Sequence, residues 1–189
     1  MRPQQASRTA RQNALFRAIE ARRPASARVA DDPLAVRFLT PEFRLLAEAA
    51  RMPSARRLIE RVIDNRWPCV RGGIVARTRL IDETVQAELP RVRQVMILGA
   101  GFDSRAYRLP QMHQVPVFEG AETTLRAVRR VGEPFTFGMN PDEVPGYLAD
   151  LGFKLEWDTT VSEAARRLYP EGGCPSVPAY YHVVKSMRS

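Results

Sequence analysis

The chain has 189 residues, of which 44% are hydrophobic and 26% are charged, so it can bury one core and is not largely disordered. Its formal net charge is +8, and nearly all of the positive charge is arginine, because Lys154 and Lys185 are the only lysines. Residues 1–94 carry 19 arginines against 10 acidic residues, whereas residues 95–189 carry 10 basic against 11 acidic residues.

The basic first half allows two interpretations. A basic surface can bind nucleic acid or another anionic partner, but arginine-rich helices with a solvated outer face have the same composition. We favour the solvated face, because no basic run is interleaved with aromatic residues and no nucleic-acid-binding module is recognisable. A nucleic-acid partner is therefore not expected.

The cysteines, histidines and apolar runs exclude further classes of protein. Cys69 and Cys174 have no metal-ligand spacing, and His113 and His182 lie far apart, so no metal site is expected. There is no hydrophobic signal segment at the amino terminus and no apolar run of membrane-spanning length. We expect a soluble, cytoplasmic protein with reduced cysteines and no membrane partner.

The first half of the chain is predicted to be helical. Helix starts are marked by capping residues and prolines, which are Ser7, Asp32, Pro33, Thr40, Pro41 and Pro53. A long amphipathic helix is predicted after Gly72 and Gly73 and must end at Pro90. Helical spacing places one apolar face on the helix after Pro53, formed by Leu58, Ile59, Val62 and Ile63.

Beyond residue 93, predicted strands alternate with predicted helices. The strands are "QVMILG", "VPVFE", "EPFTFG", "FKLEWDTT" and "AYYHVVKS". The helices are "SRAYRL", "ETTLRAVRR", "NPDEVPGYLADLG", with Asn140 as its cap and Gly152 as its terminator, and "SEAARRLY". This order predicts a helical cap over residues 1–93 and an α/β domain over residues 94–189, together forming one structural unit.

A glycine turn follows the first predicted strand in "LGAGFDSR". Gly99 and Gly101 there allow backbone N–H groups to approach a ligand closely, although an ordinary strand-to-helix turn has the same pattern. Glu119 ends the next strand, near the spacing at which nucleotide-binding folds place a ribose-binding acid. Asp103 would repel a pyrophosphate and suits a cationic ligand without phosphate, such as S-adenosylmethionine.

Several segments together resemble the S-adenosylmethionine-dependent methyltransferases of the leucine carboxyl methyltransferase type, and especially their polyketide O-methyltransferase relatives. These segments are "ASRTARQNALFRA", "DDPLAVRFL", "VARTRLIDETV", "QVMILGAGFDSRAYRL", "VFE" and "GEPFTFGMNPDEVPGYLADLGF". The resemblance covers most of the chain. It implies an α/β, Rossmann-like class I methyltransferase fold with an N-terminal helical cap over the cofactor S-adenosylmethionine.

The resemblance also implies positions for the cofactor. Arg77 would pair with the methionine carboxylate, and Arg8 falls where the family has a basic residue near that carboxylate. Gly99 and Gly101 would line the methionine portion, and Asp103 would orient the loop or meet the ammonium group. A solvated surface charge is the alternative interpretation for each arginine, and it is the stronger one for Arg8.

The resemblance breaks after "VFEG". Where the family continues with an acid and further strands, this chain has Ala121 and passes almost directly to "GEP", as though an internal segment were deleted. The sheet is therefore expected to be reduced, with the first strand short of a neighbour. Either the last strand closes onto the first, or a second copy supplies the missing edge, and we expect a homodimer.

The sequence leaves two main functions open. The first is O- or carboxyl-methylation of a small-molecule substrate in secondary metabolism, with His113, Tyr180, Tyr181 and His182 as candidate helpers in deprotonation. The second is a repurposed relative without methyl transfer, either a small-molecule binding protein or a cyclase or isomerase. Nucleic-acid binding ranks third. No catalytic residue is predicted.

Overall fold

The computed structural model describes residues 8–98, 102–120, 139–169, 177 and 181–188. Within these ranges an all-helical half precedes a half that mixes strands with helices, which makes the chain an α/β protein. The predicted segments "ETTLRAVRR" and "EPFTFG", together with Ser7, Tyr180, Cys174, Gly99 and Gly101, lie outside the described residues. The division into a cap and a domain stays a prediction.

Within the described residues, four helices form the first half. They are α1 (Arg8–Glu20), α2 (Pro41–Ala49), α3 (Pro53–Arg66) and α4 (Val70–Glu88), with 3-10 turns at Ala25–Ala27, Ala35–Phe38 and Leu89–Arg91. Proline begins α2 and α3, where its missing N–H costs no hydrogen bond. Helix α4 ends before Pro90, as predicted. Among the described residues, no helix is both long enough and apolar enough to cross a bilayer.

Two local predictions in this half are wrong. The segment with Asp32 and Pro33 forms only the 3-10 turn Ala35–Phe38, because Asp32 is drawn into a buried ion pair rather than a helix cap. Helix α4 begins at Val70, before the glycine pair rather than after it. Its N-cap is Cys69, whose φ of 71° is the left-handed conformation, and α3 has already ended at Arg66 with Trp67 in a non-helical conformation.

The core is built around α1, which is buried on almost every side. Its buried apolar residues are Ala14, Leu15, Phe16, Ala18 and Ile19. They pack with Leu39, Ala47, Ala50 and Ile63 from the neighbouring segments. A helix enclosed in this way cannot show a simple polar face, and Arg17 and Glu20 are therefore buried with their partners.

Helix α3 buries less of its apolar face than the sequence predicts. Ile63 is buried and Ile59 packs against the core, but 62% of Leu58 and 59% of Val62 remain exposed. Arg56 and Glu60 complete the buried arc of α3, because their side chains are mostly covered. Arg56 Nε lies 4.0 Å from Glu60 Oε1. The core therefore meets α3 along an arc rotated away from Leu58 and Val62.

The second half contains two separate two-stranded sheets among the described residues. Strand β1 (Val95–Leu98) lies parallel to β2 (Val117–Gly120), with α5 (Arg105–Arg108) and the 3-10 turn Pro110–Gln114 between them. Strand β3 (Phe153–Thr160) lies antiparallel to β4 (His182–Arg188), with α6 (Val144–Asp150) before β3 and α7 (Val161–Leu168) between the strands. In these ranges, the last strand does not close onto β1.

The β3–β4 sheet is joined to α4 by charges and by apolar contacts. Lys185 Nζ lies 2.7 Å from Glu88 Oε1 on α4 and 2.5 Å from Glu156 Oε2 on β3. These bonds raise the pKa of Lys185, and the bond from Lys185 lowers that of Glu88. Apolar contacts are made by Ala76, Val161, Ala165 and Val183. The end of α4 is thereby fixed against the carboxyl-terminal part of the chain.

Helix starts and ends in the second half follow local sequence signals. Thr160 and Glu163 form a capping box, in which each side chain bonds the other residue's backbone N–H, at 3.0 and 2.9 Å. Gly152 has a φ of +78° and ends the segment that contains α6, as predicted. Asn140 makes no side-chain cap, and a 3-10 turn at Pro141–Glu143 precedes α6.

The capping box predicts a pH dependence of stability. Hydrogen bonds from the backbone and side chain of Thr160 lower the pKa of Glu163 below its ordinary value of 4.5. Glu163 therefore stabilises the fold above about pH 4.5, and this contribution is lost as the pH falls through the lowered pKa. We expect the difference in unfolding free energy between the native chain and Glu163→Gln to shrink on acidification, measured by urea denaturation.

Thr160→Ser is the matched control, since it keeps the hydroxyl that bonds Glu163. It should show the pH dependence of the native chain. A difference between the native chain and Glu163→Gln that is unchanged from neutral to acidic pH would contradict the predicted role of the carboxylate.

Candidate functional site

The segment after the glycine turn is held by a buried network of three arginines and three aspartates. Arg17 comes from α1, Asp32 from the loop after it and Asp82 from α4, and Asp103, Arg105 and Arg108 come from the segment itself. Buried charges are stable only when each is paired and hydrogen-bonded. The network therefore fixes residues 102–108 against both α1 and α4.

Arg17 reaches Phe102, the residue that directly follows Gly101. Its Nη1 donates to Asp32 Oδ2 at 2.7 Å, and its Nη2 donates to the carbonyl oxygen of Phe102, also at 2.7 Å. Burial lowers the pKa of Arg17, and the charge of Asp32 only partly offsets this. The Phe102 ring stacks on Phe38 with centroids 5.0 Å apart. Both the backbone and the ring of Phe102 are thus held in place.

Asp82 binds two arginines at a single carboxylate oxygen. Arg105 Nε and Arg108 Nη2 each donate to Asp82 Oδ1 at 2.7 Å. Burial alone would lower the pKa of Arg108, but the hydrogen bond and charge of Asp82 raise it above the ordinary value. Asp32 Oδ1 accepts no hydrogen bond in the described ranges, although Arg108 Nε lies 3.8 Å away.

Asp103 is engaged by the residue two positions after it. Its Oδ1 accepts from the backbone N–H of Arg105 at 2.8 Å, and its Oδ2 accepts from the Arg105 side chain at 2.5 Å. Arg105 also makes a long contact of 3.4 Å with the carbonyl oxygen of Thr78, the residue after Arg77. Asp103 therefore shapes the start of α5, and Arg105 links it to the turn of α4 that carries Arg77.

Arg77 lines a cavity of about 290 Å³ at the start of α4. The lining is mainly apolar and includes Ile74, Val161, Val177 and Tyr181. The guanidinium lies 5.8 Å from the centre of the Tyr181 ring and makes a long contact of 3.5 Å with its hydroxyl. No carboxylate of the described residues pairs with it, in contrast to Arg17, Arg105 and Arg108.

A larger cavity, of about 500 Å³, lies further along α4 between the helix, α7 and the β3–β4 sheet. Trp157 and Leu80 contribute its apolar lining, and Glu163, Arg167 and Lys185 contribute charges.

His182, one of the candidate helpers, has its Nδ1 2.8 Å from Asp158 Oδ1. His113 lies in the 3-10 turn after α5, exposed to solvent.

Of the site residues predicted from the sequence, two have described side chains, Arg77 and Asp103. Arg8 begins α1 and Glu119 lies in β2. Gly99 and Gly101 lie outside the described residues. Arg17, Asp82 and Arg108 are not among the residues predicted from the sequence, although an arginine within the apolar stripe of α1 is a usable signal of a buried ion pair.

A helical half followed by a half of strands and helices defines an α/β protein, and in its cavity at the start of α4 no carboxylate of the described residues pairs with Arg77. The family model of the leucine carboxyl methyltransferases matches residues 10–122, so the chain belongs to that family. The resemblance seen in the sequence is thereby confirmed, and S-adenosyl-L-methionine is the cofactor of this class of methyltransferases.

Three curated relatives are each named, by inference, as an S-adenosyl-L-methionine-dependent methyltransferase. The one from Frankia alni is 36% identical over 118 residues, 60% of this chain and 34% of the relative. The one from Streptomyces avermitilis is 35% identical over 112 residues, which are 59% of this chain and 32% of the relative. The one from Mycolicibacterium vanbaalenii is 49% identical over 47 residues, which are 24% of this chain and 16% of the relative. The chain thus matches about a third of the length of the first two relatives.

The shared carboxylate of Asp82 is predicted to be critical for stability. Asp82→Asn removes the charge that Arg105 and Arg108 share, and leaving buried arginines short of a partner costs about 3 kcal/mol. Glu83→Gln is the matched control on the same helix, because the partly exposed Glu83 pairs, among the described residues, with the surface arginines Arg79 and Arg167.

The control should lower the unfolding free energy by about 1 kcal/mol or less. Urea denaturation followed by circular dichroism measures both variants. Equal losses in Asp82→Asn and Glu83→Gln would show that the buried network does not fix this part of the fold.

Proposed function

We propose that this chain binds S-adenosyl-L-methionine through Arg77 and acts as a methyltransferase on an oxygen or carboxyl group of a small molecule in secondary metabolism. The proposal includes a cytoplasmic location and a reduced Rossmann-like sheet. The observation that carries it is the guanidinium of Arg77 in an apolar cavity, where no carboxylate of the described residues pairs with it, in a chain of this family.

The environment of Arg77 fits the carboxylate end of the cofactor. A guanidinium binds a carboxylate through two parallel hydrogen bonds, and such charge-assisted bonds are strong where water is partly excluded. The cavity beside Arg77 is near the lower end of the sizes found for ligand sites. Tyr181 holds the guanidinium from one side, which restricts its rotamers before a ligand arrives.

The arginine–aspartate network supports the second part of the proposed site. It anchors Phe102 and α5, so the residues that follow Gly101 are tied to α1 and α4. In the proposal, Gly99 and Gly101 line the methionine portion, and Asp103 orients the loop or meets the ammonium group. Glu119 holds the ribose, and Arg8 lies near the carboxylate.

When bound, the cofactor supplies a methyl group on a positively charged sulfur, which an oxygen nucleophile can attack. The task of the chain is then to bind and align the reactants rather than to perform extensive acid–base chemistry. Two of the predicted helpers have side-chain partners in the structure. Tyr181 contacts Arg77, and His182 contacts Asp158. We assign no catalytic role to either.

Substitution of Arg77 tests the proposed cofactor site. Arg77→Ala should weaken binding of S-adenosyl-L-methionine by about 10-fold or more, since a hydrogen bond to a charged group contributes about 1.5 to 3 kcal/mol. Isothermal titration calorimetry with S-adenosyl-L-methionine and S-adenosylhomocysteine measures the affinities of the native and variant chains.

Arg79→Ala is the control, because Arg79 lies two positions along the same helix, is exposed and pairs with Glu83. It should bind like the native chain. Absence of binding to a folded native sample would exclude the methyltransferase proposal and leave the alternative of a repurposed relative without methyl transfer.

A homodimer is part of the proposal. In the described ranges β1 pairs only with β2, and β4 pairs only with β3, so each sheet has strand edges without a partner. Exposed edges favour pairing with another chain. Met96, on β1, is 60% exposed and lies on the strand that such pairing would extend.

Light scattering coupled to size-exclusion chromatography tests the dimer. The expected mass is twice the 21.4 kDa of one chain at micromolar concentration. Met96→Lys should shift the population towards the monomer, because a charge on the pairing strand opposes edge-to-edge contact. A native chain that stays monomeric at these concentrations would contradict the proposal.

A further inference from the structure

The outer side of α3 combines exposed apolar side chains with arginines that form no ion pair within the described part of the chain. We call this surface the α3 face, and it consists of Arg57, Leu58, Arg61, Val62, Arg66 and Trp67. Leu58 and Val62 stand one helical turn apart and are both more than half exposed. Trp67, directly after the helix, is 37% exposed, and the Arg66 guanidinium lies 5.5 Å from the centre of its ring.

The arginines of the α3 face differ from those on the inner side of the same helix. On the inner side, Glu60 pairs with Arg23 at 2.6 Å, and Asp64 pairs with Arg71 at 2.7 Å. Arg57, Arg61 and Arg66 have no ion pair with any residue that the structure describes. The spacing of four residues places Arg57 and Arg61 along one flank of the apolar pair, and Arg66 on the other flank.

This combination requires a partner that offers negative charge and an apolar interior together. A nucleic acid would satisfy the arginines but would leave Leu58 and Val62 in water. A second copy of the chain, packed through the same face, would bring arginines against arginines. An acidic helix of another protein needs a groove to lie in, and the cavities described above are lined by other side chains.

We propose that the α3 face docks this protein on an anionic lipid bilayer. Lipid phosphates would pair with the three arginines, while Leu58 and Val62 enter the boundary between headgroups and acyl chains. Trp67 suits the same depth, because its ring is apolar and its indole N–H can reach water or headgroups. The proposal departs from the sequence-based expectation of no membrane partner, which rested on the lack of an apolar run of spanning length. Docking of this kind needs no spanning segment, and no described helix could span a bilayer.

Flotation with extruded vesicles tests this docking. The full chain should float with vesicles of phosphatidylcholine and phosphatidylglycerol but not with phosphatidylcholine alone, and added salt should weaken the binding. Arg57→Gln with Arg61→Gln should lower the vesicle partition coefficient about 25-fold, at roughly fivefold for each arginine. Leu58→Ser with Val62→Ser should lower it roughly tenfold, since apolar insertion is lost.

Arg91→Gln with Arg93→Gln is the matched control, because both arginines are exposed and the change in net charge is the same. This control should lower binding by less than about twofold. Circular dichroism of each variant confirms that it is folded, which is expected because all of the substituted side chains are solvent-exposed.

Four results would overturn the proposal. The first is no flotation of the native chain. The second is an equal loss in the Arg91 and Arg93 control, which would indicate general charge attraction. The third is unchanged binding in the Leu58 and Val62 variant together with salt-sensitive binding to duplex DNA, which would indicate a nucleic-acid surface. The fourth is self-association abolished in that variant, which would indicate a contact between copies.

Discussion

The double use of Asp82 is the interaction on which the rest of the structure depends. One oxygen of this buried carboxylate binds both Arg105 and Arg108, and these two arginines join α4 to the segment between β1 and β2. A buried charge must be paired with an opposite charge. Asp32 therefore pairs with Arg17, and Asp103 pairs with Arg105, within the same network. The helical half and the strand-containing half are locked together by this electrostatic requirement as well as by apolar packing.

Features with a local physical cause were predictable from the sequence, and features with a distant cause were not. The strand Phe153–Thr160 and the left-handed Gly152 depend on alternation and on a missing Cβ, which are both visible in a few residues. The pairing of Arg17 with Asp32 and Phe102 joins residues 15 and 85 positions apart, and no local pattern encodes such partners. The exposed position of Leu58 has the same origin, because it depends on which arc of α3 the core covers.

The candidate site was predicted unevenly for the same reason. Arg77 could be selected from the sequence because the family pattern marks it, and the structure adds its cavity and its lack of a carboxylate partner among the described residues. The residues that support the site carry no such mark. Their side chains act on the backbone of Phe102 and on α5, so their contribution becomes visible only when distances are known.

The contact between Lys185 and Glu88 has a consequence for the order of events during synthesis. The two residues are 97 positions apart, so at ribosomal rates α4 would emerge about 5 to 20 s before the strand that covers its carboxyl-terminal half. Over that interval α1 can already pack on α4, whereas Leu80 and its neighbours still face water. The nascent chain therefore passes through a stage in which one side of its longest described helix is folded and the other is a target for chaperones.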